Sequence, residues 1–238
     1  MNVRRLGAID IGSNSVRLLI TDVLDYNGRA VFKKDSLIRI PLKLGEDTFS
    51  TGYISEQKKE KLAILMQSFR GLIQVNDVEI WRACATSAIR EASNAQEVLE
   101  YVVAKSGIEI DVIDSKEEAR FILTNRIDEL LEENRVYIYT DVGGGNTELI
   151  IFYQNKEIAS ESFKLGTIRS LRLEEERAEW DRMKNWLIEH SKDYIKISLI
   201  GSGGNINKLD SLLRRSGRIR REELVSFAAK MRKMSYEE

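Results

Sequence analysis

Asp10-Ile11-Gly12-Ser13-Asn14-Ser15-Val16-Arg17-Leu18 carries the reading of the fold, because its pattern returns later as Asp141-Val142-Gly143-Gly144-Gly145-Asn146-Thr147-Glu148-Leu149. In each copy an apolar, β-rich run ends in an aspartate, turns through small residues and re-enters a second apolar run. At one constant offset Asp10-Ile11-Gly12 falls on Asp141-Val142-Gly143, and Leu18-Leu19-Ile20 falls on Leu149-Ile150-Ile151. Small residues let backbone N–H groups converge on one point, a nest suited to phosphate oxygens, and glycine lets the ligand approach without a Cβ in the way. An aspartate beside such an anion repels it unless a divalent cation lies between, and Mg²⁺ prefers oxygen ligands and phosphates.

Working outward, Gly7–Ile11, Val16–Leu24 and Arg29–Ile40 read as three strands, the last ending near Pro41, the single proline. Leu62, Leu65, Met66, Phe69, Leu72 and Ile73 recur at helical spacing behind Ser55 as N-cap. Val78–Ala85 reads as a buried strand, Asn94 and Glu97 as the cap of a helix to Ser106, and Glu109–Ile113 as a strand. Ala119, Ile122, Leu123, Ile127, Leu130 and Leu131 form one helical face. The second copy follows the same order, with strands at 136–142, 147–153, 158–165 and 195–200, a glycine turn at 201–204 and helices between and after. The pattern predicts an α/β protein of two related βββαβα units, residues 1–124 and 125–238.

Composition sets further bounds. Hydrophobic residues make up 42% of the 238, and no run approaches the ~20 apolar residues of a membrane span. The start has no sustained apolar region, so a secretory signal is not expected. Lys plus Arg, 37, balance Asp plus Glu, 38, which speaks against a nucleic-acid coat. Cys84 is alone and reads as a buried, inert thiol in a reducing cytoplasm. His190, the single histidine, reads as a helix C-terminal residue. One His and one Cys leave Cys–His catalysis and His/Cys metal sites without parts.

The two turns, together with Ala85-Thr86-Ser87-Ala88-Ile89-Arg90-Glu91-Ala92-Ser93-Asn94, Glu117-Glu118-Ala119-Arg120 and Gly201-Ser202-Gly203-Gly204-Asn205-Ile206, resemble in order the motifs of the exopolyphosphatase and guanosine pentaphosphate phosphatase family. The resemblance implies two actin-like (ribonuclease H-like) domains about a cleft. It also implies Mg²⁺-assisted removal of a terminal phosphate from polyphosphate or guanosine pentaphosphate, and a homodimer as the partner to expect. It makes Glu118 the general base, although Ser115-Lys116-Glu117-Glu118 alone reads as a capping box. It makes Arg90 the phosphate clamp. Gly12, Ser13, Asn14, Ser15, Gly143, Gly144, Gly145, Asn146, Gly203 and Gly204 become phosphate-binding residues. Asp141, Glu148 and Asp10 become the metal carboxylates, with Glu148 a further catalytic residue. Arg17 also holds a family position, its direction left open by strand alternation.

Departures are Asn146 in place of the usual Ser, Ser115 in place of a Gly, and an end at Glu238 where family members run on. The last implies a second domain incomplete at its C-terminus. Rival readings are an actin-like ATPase or small-molecule kinase, and a non-catalytic polyphosphate or alarmone sensor.

Overall fold

The computed structural model describes residues 3–115, 117–118, 121, 132, 135–154, 156–169, 173–213 and 217–234. It is α/β, with two mixed sheets. The first contains β1 (Val3–Ile11), β2 (Val16–Tyr26), β3 (Arg29–Ile40), β4 (Ile80–Ala85) and β5 (Asp111–Val112), in the order β3-β2-β1-β4-β5. The second contains β6 (Val136–Val142), β7 (Thr147–Tyr153), β8 (Lys156–Phe163) and β9 (Ile197–Ser202), in the order β8-β7-β6-β9. Both place an antiparallel meander beside a strand that runs parallel to its first member, β4 beside β1 and β9 beside β6. The doubled pattern in the sequence is therefore a doubled topology. The expected boundary at 124/125 and the helical face from Ala119 to Leu131 lie outside the described residues.

Strand alternation builds the first core. Ile9 and Ile11 of β1 and Val16, Leu18 and Ile20 of β2 are buried on one face. They are covered by α2 (Glu56–Val75) through Leu62, Met66, Phe69 and Ile73, and by α4 (Ala95–Ser106) through Val98 and Val102. At the free edge β3 is almost wholly exposed and carries Lys33, Lys34 and Asp35, charges that discourage a further strand from adding. In the second sheet Val136 to Thr140 are buried without a break, as expected of a central strand packed on both faces. One face meets α5 (Leu173–Ser191) through Met183, Trp186 and Leu187, with Trp186 edge-on to Phe163 at 5.8 Å. His190 lies in the last turn of α5 against Trp186, as its position predicts.

Several elements differ from expectation. Two short helices, α1 (Leu44–Thr51) and α3 (Ser87–Arg90), were not signalled by periodicity. The strand expected over Glu109–Ile113 shrinks to Asp111–Val112. Gly201 and Ser202 end β9, while Gly203 and Gly204 open α6 (Gly203–Leu213), so the expected glycine turn is a strand-to-helix junction. The chain then reaches α7 (Arg221–Met231). Cys84 is half-buried, not fully so, and burial pushes its thiol up.

Ser55 caps α2 by accepting from the Lys58 amide. Asn94 occupies the cap position of α4 but gives its side chain elsewhere. Its Oδ1 accepts from the Ile54 amide and its Nδ2 donates to the Ile54 carbonyl, both at 2.9 Å. Asn94→Ala should cost about 1–3 kcal/mol, since it strands both polar groups of a buried residue; urea unfolding of the two proteins measures it.

Candidate active site

The two hairpin turns close in the same way. Gly12 N–H donates to Ser15 O at 3.1 Å, and Gly143 N–H donates to Asn146 O at 2.9 Å. In the first turn the carbonyls point outward, Ser13 O accepting from the Gly45 amide and Asn14 O from the Lys43 amide, both at 2.9 Å. The N–H groups of Ser13, Asn14 and Ser15, and of Gly144, Gly145 and Asn146, have no acceptor among the described residues. The turns also touch. A Cβ on Gly144 would lie 3.2 Å from Ser13 Cβ and 3.3 Å from Asn14 N. Between them opens a cleft of about 760 Å³ whose lining includes Asp10, Glu118, Asp141, Glu148 and Gly203.

Asp10 and Asp141 stand next to last in the first strands of their sheets, opposite Arg17 and Glu148 respectively. Arg17 Nη1 lies 3.2 Å from Asp10 Oδ2. Burial nevertheless raises the Asp10 carboxyl, Arg17 opposes it, and Asp141 adds to it. The Asp141 carboxylate lies over Gly203, whose φ of 88° is open to glycine and whose Cβ would stand 2.5 Å from Asp141 Oδ1. Glu148 is 6% exposed and accepts from Ser162 Oγ at 3.2 Å. Its carboxyl is pushed up to about 7, first by burial and then by the charge of Asp141.

Glu118 enters from a different direction. Asp114, not Ser115, caps the turn that carries it, since Asp114 Oδ1 accepts from the Glu117 amide at 2.8 Å. Ser115 is already helical, and its Oγ instead lies 3.4 Å from Arg90 Nη2. This corrects the capping-box reading and leaves Glu118 lining the cleft. Its carboxyl is pushed up to about 8, mostly by burial, then by Glu148, with Arg90 opposing. Arg90 Nη1 donates to Ile113 O at 2.6 Å and lies 3.9 Å from Glu118 Oε2. It lines a neighbouring cavity of about 690 Å³ that shares Asn146 and Glu148 with the cleft, so it stands behind the carboxylates and not among the turns.

Sequence reasoning did not find three contributors. Arg39 donates to Ser15 Oγ at 3.1 Å and lines the cleft beside Arg17. Ser87 Oγ lies 2.9 Å from Ser13 Oγ. Arg169 binds the second turn from behind. Each acts across the chain, where local pattern gives no signal.

The carboxylates suit a hard divalent cation. Four of them share one cleft, and burial first, with mutual repulsion adding to it, raises Asp10, Glu118 and Glu148. Among the described residues no three His, Cys, Asp or Glu side chains come close enough to hold a metal unaided. Mg²⁺ ordinarily takes one or two carboxylates and completes its shell with water and substrate oxygens, so that arrangement still fits it.

Fold and doubled turns together define an actin-like α/β protein with an interlobe cleft. Its relatives agree. A solved exopolyphosphatase structure from Cytophaga hutchinsonii superposes with a TM-score of 0.72 at 24% identity, over 88% of this chain and 70% of that one. The sequence model of the Ppx/GppA phosphatase family matches residues 36–184, and the chain belongs to that family. It is 32% identical over 169 residues to exopolyphosphatase 1 of Mycobacterium leprae (strain TN), covering 71% of this chain and 49% of that protein. It is 29% identical over 161 residues to a guanosine-5'-triphosphate,3'-diphosphate pyrophosphatase of Aliivibrio fischeri (strain MJ11), covering 68% and 31%. The chain spans about half the length of the first of these relatives. No helix among the described residues is long and apolar enough to cross a membrane.

Proposed function

We propose that the protein hydrolyses the terminal phosphoanhydride bond of a linear phosphate chain, inorganic polyphosphate or guanosine pentaphosphate. The observation that carries this is the pair of matched turns, whose unclaimed amides line the same cleft as Glu118 and Glu148. Amides without acceptors on both walls are preorganised donors for phosphate oxygens, and they need no rearrangement when the ligand arrives. The family membership, and the relatives' names, supply the substrate class.

In this reading the N–H groups of Ser13–Ser15 and Gly144–Asn146 hold phosphate oxygens, Gly12 and Gly143 close the turns that present them, and Gly203 and Gly204 line the same cleft. Glu118, kept basic by burial and by neighbouring carboxylates, orients the attacking water and accepts its proton. Arg90 holds Glu118 in place and faces the neighbouring cavity, a geometry suited to receiving a phosphate once it leaves the turns. Asp141 and Glu148, with Asp10 beside them, would hold Mg²⁺, which when bound would neutralise charge on the phosphate oxygens. Composition gives no support for a nucleic-acid ligand.

The test is phosphate release from each substrate, with Mg²⁺ and with chelator. Release should fall to background in chelator and return when Mg²⁺ is restored; full activity in chelator removes the metal from this reading. Binding of either substrate without release would identify a sensor.

A further inference from the structure

One short segment holds the second turn from behind. Thr167 N–H donates to Gly143 O at 3.1 Å, and the amides of Ile168 and Arg169 donate to Gly144 O at 2.8 and 3.1 Å. Arg169 Nε completes the series by donating to Gly145 O at 2.6 Å, and its Nη2 donates to Asn146 Oδ1 at 3.1 Å. Three consecutive carbonyls are thus fixed on the side of the segment, while the N–H groups of Gly144, Gly145 and Asn146 keep no acceptor among the described residues.

The same guanidinium reaches the other half of the molecule. Nη1 and Nη2 donate to the two carboxylate oxygens of Glu91, at 3.0 and 2.6 Å, just beyond α3. The guanidinium also lies over the Phe49 ring of α1, 4.0 Å from its centroid. The Arg169 side chain is only 7% exposed. A planar fork with four of its five donors used is a fixed spacer, unlike the floppy arginines of protein surfaces.

We propose that Arg169 is a positioning residue that registers the second turn against the first half, so that the amides of both turns address one anion only while the Arg169–Glu91 pair is made. This rests on the phosphate reading of the cleft. An arginine that merely glues two halves together would, on removal, loosen both sheets alike; a positioning residue loosens the turn.

The test compares wild type with Arg169→Ala and Glu91→Gln by hydrogen-exchange mass spectrometry, with and without inorganic phosphate, alongside kcat and KM. In Arg169→Ala, the hydrogen-bonded amides at the turn, those of Gly143, Thr167 and Ile168, should exchange at least about tenfold faster while β1, β4 and α2 stay unchanged. Phosphate should protect the amides of Gly144, Gly145 and Asn146 less than in wild type, and kcat should drop about 100-fold with KM shifted far less. Glu91→Gln leaves the Arg169–Gly145 bond in place and should show the same pattern more weakly, which covers the case of an alanine variant that does not fold. Unchanged exchange at the turn, or acceleration spread evenly over both sheets, overturns the proposal. Should the wild type release no phosphate from either substrate, the reading of the cleft fails, and exchange at Gly143, Thr167 and Ile168 still decides the role of Arg169.

Discussion

Glu118→Gln should fold, bind phosphate and lose about 10³-fold in phosphate release, the usual worth of a general base. The glutamine keeps the shape of the side chain and its place near Arg90 but cannot accept a proton. A second readout separates this from damage to the fold. The Glu118 carboxyl is pushed up to about 8 in the folded chain from an ordinary 4.5, so the folded state holds an extra proton between those values. In the metal-free protein the contribution of Glu118 to stability is then fully present below about 4.5 and lost as pH rises through about 8. The glutamine variant lacks this decline. Without divalent cation it should melt higher than wild type at pH 8.5 and close to it at pH 4.5. Retained activity, or a melting temperature lowered at alkaline pH, would show that Glu118 serves the fold and not the chemistry.

Gly145→Ala should push the two turns apart with a single methyl group. Its Cβ would stand 2.5 Å from Ser87 Oγ and 2.6 Å from Phe49 Cζ. Neither neighbour has room to yield. Ser87 Oγ lies 2.9 Å from Ser13 Oγ, and Phe49 is pinned beneath Arg169. The second turn must therefore move away from the first, and a displacement near 1 Å costs roughly 100-fold in turnover. Gly71→Ala supplies the control. It sits within α2 with nothing within 4 Å of the added carbon, so it should leave phosphate release alone and raise stability by about 0.5–1 kcal/mol. Assays of both variants beside their melting curves distinguish a displaced turn from a weakened fold.

The parts of this architecture that depend on neighbours in the chain were legible in the sequence. Alternation of Ile9, Ile11, Val16, Leu18 and Ile20 places β1 and β2, and the spacing of Leu62, Met66, Phe69 and Ile73 places α2 behind its Ser55 cap. The aspartate-glycine turns announce themselves because small residues there have a backbone reason to exist. What stayed hidden depends on contacts between distant residues. Asn94 looks like a cap until Ile54, in a loop 40 residues away, turns out to take both ends of its amide. Ser115 looks like a cap because the Ser-x-x-Glu spacing fits, yet the helix starts one residue earlier and Asp114 serves it. Arg90 sits in a recognisable segment, but only the fold shows that Ile113 and Glu118 claim its guanidinium. Arg169 lies in a loop without periodicity, and its partners Glu91 and Phe49 belong to the other half of the chain.

The two hairpins share a backbone but not a charge. The offset that takes Asp10 to Asp141 also takes Arg17 to Glu148, so one arm pairs its acid with a cation while the other pairs it with a second acid. On the proposed reading, a linear chain of like units laid across both arms would find them equally welcoming in shape and unequal in electrical demand. Its cation-requiring end then belongs beside Asp141 and Glu148, and the neutral arm keeps the remainder. On that reading the cradle grips both halves of its ligand alike in shape but acts on it at one arm only.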